Sequence, residues 1–270
     1  MATESLPGSG GTADAELVHY GLAAGIATIT LDSWANRNAL SQQLVAQLLA
    51  KLEQACAEAA DGSVRVILLA HTGKVFCAGA DLKEAGAQGV AEGAENLAKI
   101  MRRILSAPVP VVARVDGVAR AGGLGILGAA DIVVAHTAAT FAFSEVRIGL
   151  GPAIISLTTM GRMSSRSVSR YYLTGESFDA VAAQACGLIT CAAEDVDGAL
   201  EPILENLRLG APQGLAESKK VAAAPMLAQL DAGVAEMTAL STKLFTTDQV
   251  REGMAAFLER RQPSWQLPTS

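Results

Sequence analysis

Apolar and polar positions alternate along this chain in two different periods. Ile26–Asp32, IATITLD, has the β-branched alternation of a strand, and Val64–His71, VRVILLAH, is a nearly continuous apolar run of the kind buried on both faces of a parallel sheet. Between them Leu44, Val45, Leu48, Leu49 and Leu52 share one face at the helical period, with Ser41 placed as N-cap. A second amphipathic helix carries Leu97, Ile100, Met101, Ile104 and Leu105 and must end before Pro108, which restricts the residue ahead of it. The segment VPVVARV, 109–115, returns to a strand; a glycine-rich turn, an apolar run at Ile132–Ala135 and a loop holding FAFSEVRIGLGPAII follow. From Pro212 onward the period is helical, with Val234, Met237, Leu240, Leu244 and Phe245 on one stripe and Val250, Met254, Phe257 and Leu258 on another. Strands alternating with helices predict an α/β fold, and the tail reads as a separate helical module whose stripes are packing surface, buried against another subunit.

Composition narrows the class. With 270 residues, half of them hydrophobic, the chain can bury one large core with a smaller appendage. Its net charge of −6 includes no block of like charges, which argues against a nucleic-acid partner and against a polybasic membrane patch. Residues 1–14 are polar and Gly/Ser-rich, without a basic start or apolar core; they are expected to be a disordered tail, and the protein cytoplasmic. Cys56, Cys77, Cys186 and Cys191 have no paired spacing and read as buried thiols, and His19, His71 and His136 are isolated, so neither a metal site nor a disulfide framework is expected.

One segment, ARAGGLGILGAADIVVA, contains GxGxxG at Gly123, Gly125 and Gly128. A dinucleotide fingerprint requires a full crossover helix before the next strand, roughly 10 to 12 residues or more. Here the next apolar run starts at Ile132, leaving about two helical turns, so the pattern is accidental as a nucleotide site. Gly122 and Gly123 still sit after a strand and at a helix start, where missing side chains allow an anion or developing oxyanion to reach backbone N–H groups. The other reading is that the glycines only let helix and strand pack closely.

A second small-residue segment, KVFCAGADLKE (Lys74–Glu84), also follows a buried strand. With it, NAL at Asn38–Leu40, AGADL at Ala78–Leu82, VDGVARAGG at Val115–Gly123, LTGESFDA at Leu173–Ala180, GLI at Gly187–Ile189 and EGMAAFLERR at Glu252–Arg261 occur in order, and together the chain resembles the crotonase (enoyl-CoA hydratase/isomerase) superfamily. The resemblance implies a spiral of repeated ββα units over residues 15–205 and a C-terminal helical region, 206–270, that builds homotrimers, commonly paired into hexamers. It implies an acyl-CoA substrate, no separate cofactor, and a thioester oxygen held by the backbone N–H groups of Ala80 and Gly122. Such donors stabilise an enolate-like transition state more than the ground state. By the same resemblance Ala78, Ala80 and Leu82 line the coenzyme path with Lys83 nearby, and Phe257 with Arg260 or Arg261 belongs to a helix that reaches a neighbouring subunit's coenzyme. Taken singly, each Arg also reads as a solvated helix-end charge.

Hydratases of this family use two glutamates. The second matches Glu145; the first falls on Gly125, which has no side chain to offer. Glu145 stands in an apolar stretch where desolvation raises a carboxyl pKa toward the acid/base range, although a salt bridge to Arg147 is an alternative role. The expected function is hydration of the C2=C3 bond of a 2-enoyl-CoA with a single glutamate. A 3-enoyl-CoA to 2-enoyl-CoA isomerase and a catalytically poor acyl-CoA-binding subunit stand beside it.

Overall fold

The computed structural model describes residues 15–81, 84 and 87–267. An opening hairpin, β1 (Val18–Ala23) and β2 (Ile26–Leu31), turns through Ala24 and Gly25, both at positive φ. Helix α1 (Gln42–Ala60) begins at Ser41, whose side chain accepts the Leu44 N–H, as the pattern predicts. Then a unit repeats: β3 (Val66–His71), β4 (Val75–Cys77), α2 (Ala87–Leu105); β5 (Val111–Val115), β6 (Val118–Arg120), α3 (Gly122–Ala129); β7 (Ile132–His136), β8 (Thr140–Ala142), a 3-10 turn at Ser144–Ile148 and α4 (Ala153–Thr159). The chain continues through α5 (Ser165–Thr174), β9 (Phe178–Asp179), α6 (Ala180–Cys186), β10 (Cys191–Ala193), α7 (Val196–Leu209), α8 (Pro212–Phe245) and α9 (Asp248–Glu259).

Each repeat adds its first strand to one sheet, in the order β1-β2-β3-β5-β7-β10, and its second to another, β4-β6-β8-β9. Successive repeats therefore advance as a ββα spiral with parallel neighbours. The continuous apolar runs have a plain cause. In β3, Ile67 and Leu69 face the main core, while Val66 joins Val112 and Val134 on the opposite face, covered by Val196 and Leu200 of α7.

Two expectations need correction. The helical tail is no separate module, because Ala223, Met226 and Leu230 of α8 belong to the main core, with Val234 and Met237 packed on it. Lys219, almost fully buried on the same helix, donates to Asp131 at 2.6 Å, and Asp231 pairs with Arg102 of α2. The stretch read as one loop after Ile132–Ala135 is instead β8, the 3-10 turn and α4. Residues 1–14, the expected tail, lie outside the described residues. Among the described residues no helix is long and apolar enough to cross a membrane.

Candidate active site

Strands β4 and β6 are parallel neighbours, so the segments leaving their C-terminal ends run side by side. Ala78–Asp81 leaves β4 and pairs with the chain ahead of α1 through a bridge between Leu40 and Ala80, with the Leu40 N–H donating to Gly79 O at 2.8 Å. Ala121 and Gly122 leave β6. The two segments touch: a Cβ added to Gly79, whose φ is +98°, would lie 2.9 Å from the Ala121 Cβ and 3.6 Å from the Gly122 nitrogen. Ala121 itself holds φ 46° and ψ −118°, a conformation unfavourable for a residue with a side chain. That strain sets the orientation of the next peptide. Gly122 is the first residue of α3, so its N–H has no intrahelical acceptor and lies at the positive end of the helix dipole. Among the described residues, neither the Gly122 nor the Ala80 N–H is taken by another backbone carbonyl.

The two readings of the glycine-rich segment divide by residue. Gly122 meets the cavity, whereas Gly123 packs against Cys77, Gly128 against Thr158, and Gly125 against Ile155 and Met101. A Cβ at Gly125 would stand 2.8 Å from the Ile155 Cγ2 and 3.0 Å from the Met101 sulfur, and the Gly125 carbonyl accepts the Thr158 hydroxyl at 2.9 Å. The space a carboxylate would need at this position is filled by hydrocarbon.

Glu145 lies in the 3-10 turn after β8, on the wall of a cavity of about 500 Å³ that also takes in Ala80 and Gly122. Its Oε2 is buried with no hydrogen-bond partner among the described residues. Desolvation pushes its pKa up to about 7 against a smaller opposing effect of its own backbone N–H. Among the described residues the salt bridge to Arg147 is not formed: the Arg147 side chain borders the cavity and packs on Gly175, its Nε 3.2 Å from where a Cβ on that glycine would lie. Two residues apart in an extended strand they would share a face; the 3-10 turn separates them. Tyr172, whose hydroxyl shares a 2.6 Å hydrogen bond with Thr159, is the titratable neighbour that senses Glu145.

Of the residues expected in the site, Ala78, Ala80, Gly122, Glu145 and Phe257 all line the cavity. Leu82 and Lys83 lie outside the described residues. Arg260 and Arg261 are not among the lining residues, and Arg261 is held by Glu252 at 2.7 Å and by Glu259 at 2.6 Å. Phe257 enters the cavity of its own chain. Sequence reasoning missed Leu40, Leu97, Ile154 and Ile155, which wall the cavity beside Glu145. Leu97 was read only as part of a helical stripe, Leu40 only within the NAL motif, and Ile154 and Ile155 fell in a stretch read as a loop, so none carried a signal for the cavity.

The isolated histidines and cysteines stay out of the site. His71 accepts the Asp116 N–H on Nε2 at 2.9 Å, which requires a neutral ring, and burial lowers its pKa accordingly. The Cys77 thiol, next to the cavity strand, is pushed up to about 12 by burial and stays protonated. Among the described residues no three His, Cys, Asp or Glu side chains converge as a metal site.

A spiral of ββα units thus brings the segments that leave β4 and β6 and the turn that carries Glu145 to one largely apolar cavity. Residues 21–268 match the family model described as enoyl-CoA hydratase/isomerase, and the chain belongs to that family. An enoyl-CoA hydratase from Mycobacterium avium superposes with a TM-score of 0.88 at 46% identity, covering 94% of this chain and 100% of that one. A solved chain from Mycobacterium avium paratuberculosis K-10 gives 0.89 at 47% identity, over 93% and 100%. The 2,3-dehydroadipyl-CoA hydratase of Escherichia coli is 31% identical over 88% of this chain and 93% of its own. The architecture is thus that of the crotonase fold.

Proposed function

We propose that the protein adds water across the C2=C3 bond of a 2-enoyl-CoA thioester, using the Ala80 and Gly122 N–H groups as oxyanion donors and Glu145 as the single acid/base. The observation that carries this reading is Glu145 itself: a carboxylate whose Oε2 has no partner among the described residues, in a largely apolar cavity also lined by Ala80 and Gly122. In the ionised state Glu145 takes a proton from water as the oxygen bonds to C3, and the displaced electron pair moves onto the thioester oxygen. The two N–H groups hold that charge. Glu145 then returns the proton to C2 and the enolate collapses to the 3-hydroxyacyl thioester. The substrate's acyl end faces hydrocarbon from Leu40, Leu97 and Ile154.

A second reading, isomerisation of 3-enoyl-CoA to 2-enoyl-CoA, is favoured by one observation: Ile155 and Met101 close the space beside Gly125, where a second carboxylate would hold the water. One base suffices there, taking a proton from C2 and returning it at C4. A subunit that only binds acyl-CoA would have no use for a desolvated, unpaired carboxylate, which costs stability.

The coenzyme's path along Ala78, Leu82 and Lys83, with Arg260 near its phosphates, and assembly into a homotrimer or a pair of trimers belong to the same proposal. So does the absence of a separate cofactor. The deciding experiment follows turnover of crotonyl-CoA and of a 3-enoyl-CoA with wild type and Glu145→Gln. Hydration that falls at least about 100-fold in the variant supports the first reading; isomerisation without hydration supports the second. Retained thioester binding with neither activity would leave only the binding subunit.

A further inference from the structure

The tail segment EGMAAFLERR forms most of α9, and α9 lies against the turn that carries Glu145. Contact is backbone to backbone. A Cβ at Gly253 would fall 2.6 Å from the Ile148 carbonyl oxygen and 2.7 Å from the Ile148 C and Cα atoms. On the other side, a Cβ at Gly149, whose φ is +80°, would come within 3.1 Å of the Gln249 carbonyl carbon and 3.2 Å of the Val250 nitrogen. Each element thus offers a glycine to the other's main chain. The turn also closes on itself, the Leu150 N–H donating to the Glu145 carbonyl at 3.0 Å.

On α9, Val250, Gly253 and Phe257 follow one another at the three- and four-residue spacing that puts side chains on one helix face. Val250 is fully buried, Gly253 is buried at the contact, and Phe257 reaches the cavity, which Ile148 lines as well. The far end of the helix is secured by Arg261 on Glu252, and Glu252 Oε1 also accepts the Ser264 N–H at 2.7 Å. Sequence position alone gives no hint of this, because about a hundred residues separate the two glycines.

We propose that α9 is the positioning element of the Glu145 turn, and that Gly253 and Gly149 are the contact points that let it hold the carboxylate in place. The proposal rests on the reading of Glu145 as the acid/base. Glu145 supplies the carboxylate and touches substrate; Gly253 acts only through the turn. The groups surrounding Glu145 make the consequence legible. From α5 comes Tyr172, bound to Thr159; from its own turn Arg147, which borders the cavity and packs on Gly175; α9 brings apolar Val250 and Phe257, while its Glu252 is occupied by Arg261. Among the described residues no cation forms an ion pair with Glu145, so its proton affinity reports how well the cavity wall excludes water.

Gly253→Ala tests this. In an open helical position such a change stabilises, since alanine has the higher helix propensity; Gly214→Ala in α8, where the new Cβ would meet only the Ala211 Cβ at 4.0 Å, is the control. The expected result for Gly253→Ala is a fall in kcat of about 100-fold, the scale of an ångström-level misplacement. The titration midpoint of Glu145, followed by carbon NMR of carboxyl-labelled glutamate and assigned with Glu145→Gln, should move down toward the ordinary range. Gly214→Ala should change neither. Unchanged kcat and midpoint in a folded Gly253→Ala protein would overturn the proposal. A lowered midpoint, with Glu145→Gln still fully active, would uphold the clamp and remove the catalytic reading beneath it. Should Gly253→Ala not fold, hydrogen exchange on the wild type decides: residues 144–150 and 248–259 opening together upholds the proposal, and a turn that stays protected while α9 exchanges freely overturns it.

Discussion

Glu145 is where burial and chemistry meet most directly. Its pKa, raised to about 7, means that the proton is held more tightly in the folded chain than in the unfolded one. The associated stability is therefore full in acid, below the ordinary carboxylate value of 4.5, and is lost as pH rises through about 7. Glu145→Gln removes that loss. The variant is expected to exceed wild type by on the order of 2–3 kcal/mol at pH 8 and by little at pH 5, compared by denaturant midpoints at the two pH values. For activity the sign is opposite, because the base must be ionised: kcat/KM should climb with pH and level off above about 7. A profile flat from pH 5 to 8 would remove Glu145 as the base. That Glu145 is unusual was legible from its apolar neighbours, but the lost partnership with Arg147 was not, since it depends on a 3-10 turn in a stretch with no periodic signal.

Among the elements, α3 shows how four glycines in eight residues can serve different masters. Gly122 opens toward the cavity, while Gly123 and Gly128 bring α3 against β4 and α4. Gly125→Glu, the change that would supply the second glutamate by position, should not create a better hydratase. It forces a charged side chain into Ile155 and Met101, adding overpacking to an unpaired buried carboxylate, and should cost at least about 3 kcal/mol, read from chemical denaturation. A variant with wild-type stability would show that α4 yields far more easily than its packing indicates. Helix α8 has its own anchor in the buried Lys219–Asp131 pair. Removing one partner, Lys219→Ala, leaves Asp131 largely buried without its cation and should destabilise by about 3 kcal/mol, whereas Lys219→Met with Asp131→Asn should cost much less. The periodicity of α1 and α2, the Ser41 cap and the stop before Pro108 were all readable because those signals are local. The destination of the tail was not. An apolar stripe is equally well satisfied by its own core or by a partner, and the residues of α8 that enter the core, Ala223, Met226 and Leu230, precede the stripe read from Val234 onward.

At the scale of the whole molecule, a spiral that adds a strand to each of two sheets per turn places the ends of β4, β6 and β8 next to one another, so one cavity draws on residues from Leu40 to Phe257. The chemistry proposed for it needs no metal, and turnover should be unchanged by EDTA; a loss reversed by a divalent cation would refute that. Light scattering should give three or six times the subunit mass if the proposed assembly holds. The sequence by itself determined the alternation of buried strands and amphipathic helices, the family resemblance and the candidate residues, because hydrophobic period, caps, prolines and ordered motifs are properties of neighbouring positions. Only the tertiary structure decided that Gly79 and Gly122 touch, that Ile155 fills the space beside Gly125, that Arg261 is bound to glutamates, and that α9 lies on the Glu145 turn. Each of these is a contact between residues far apart in the chain, and such contacts depend on where the backbone comes close enough to exclude a side chain or water, which no local pattern encodes.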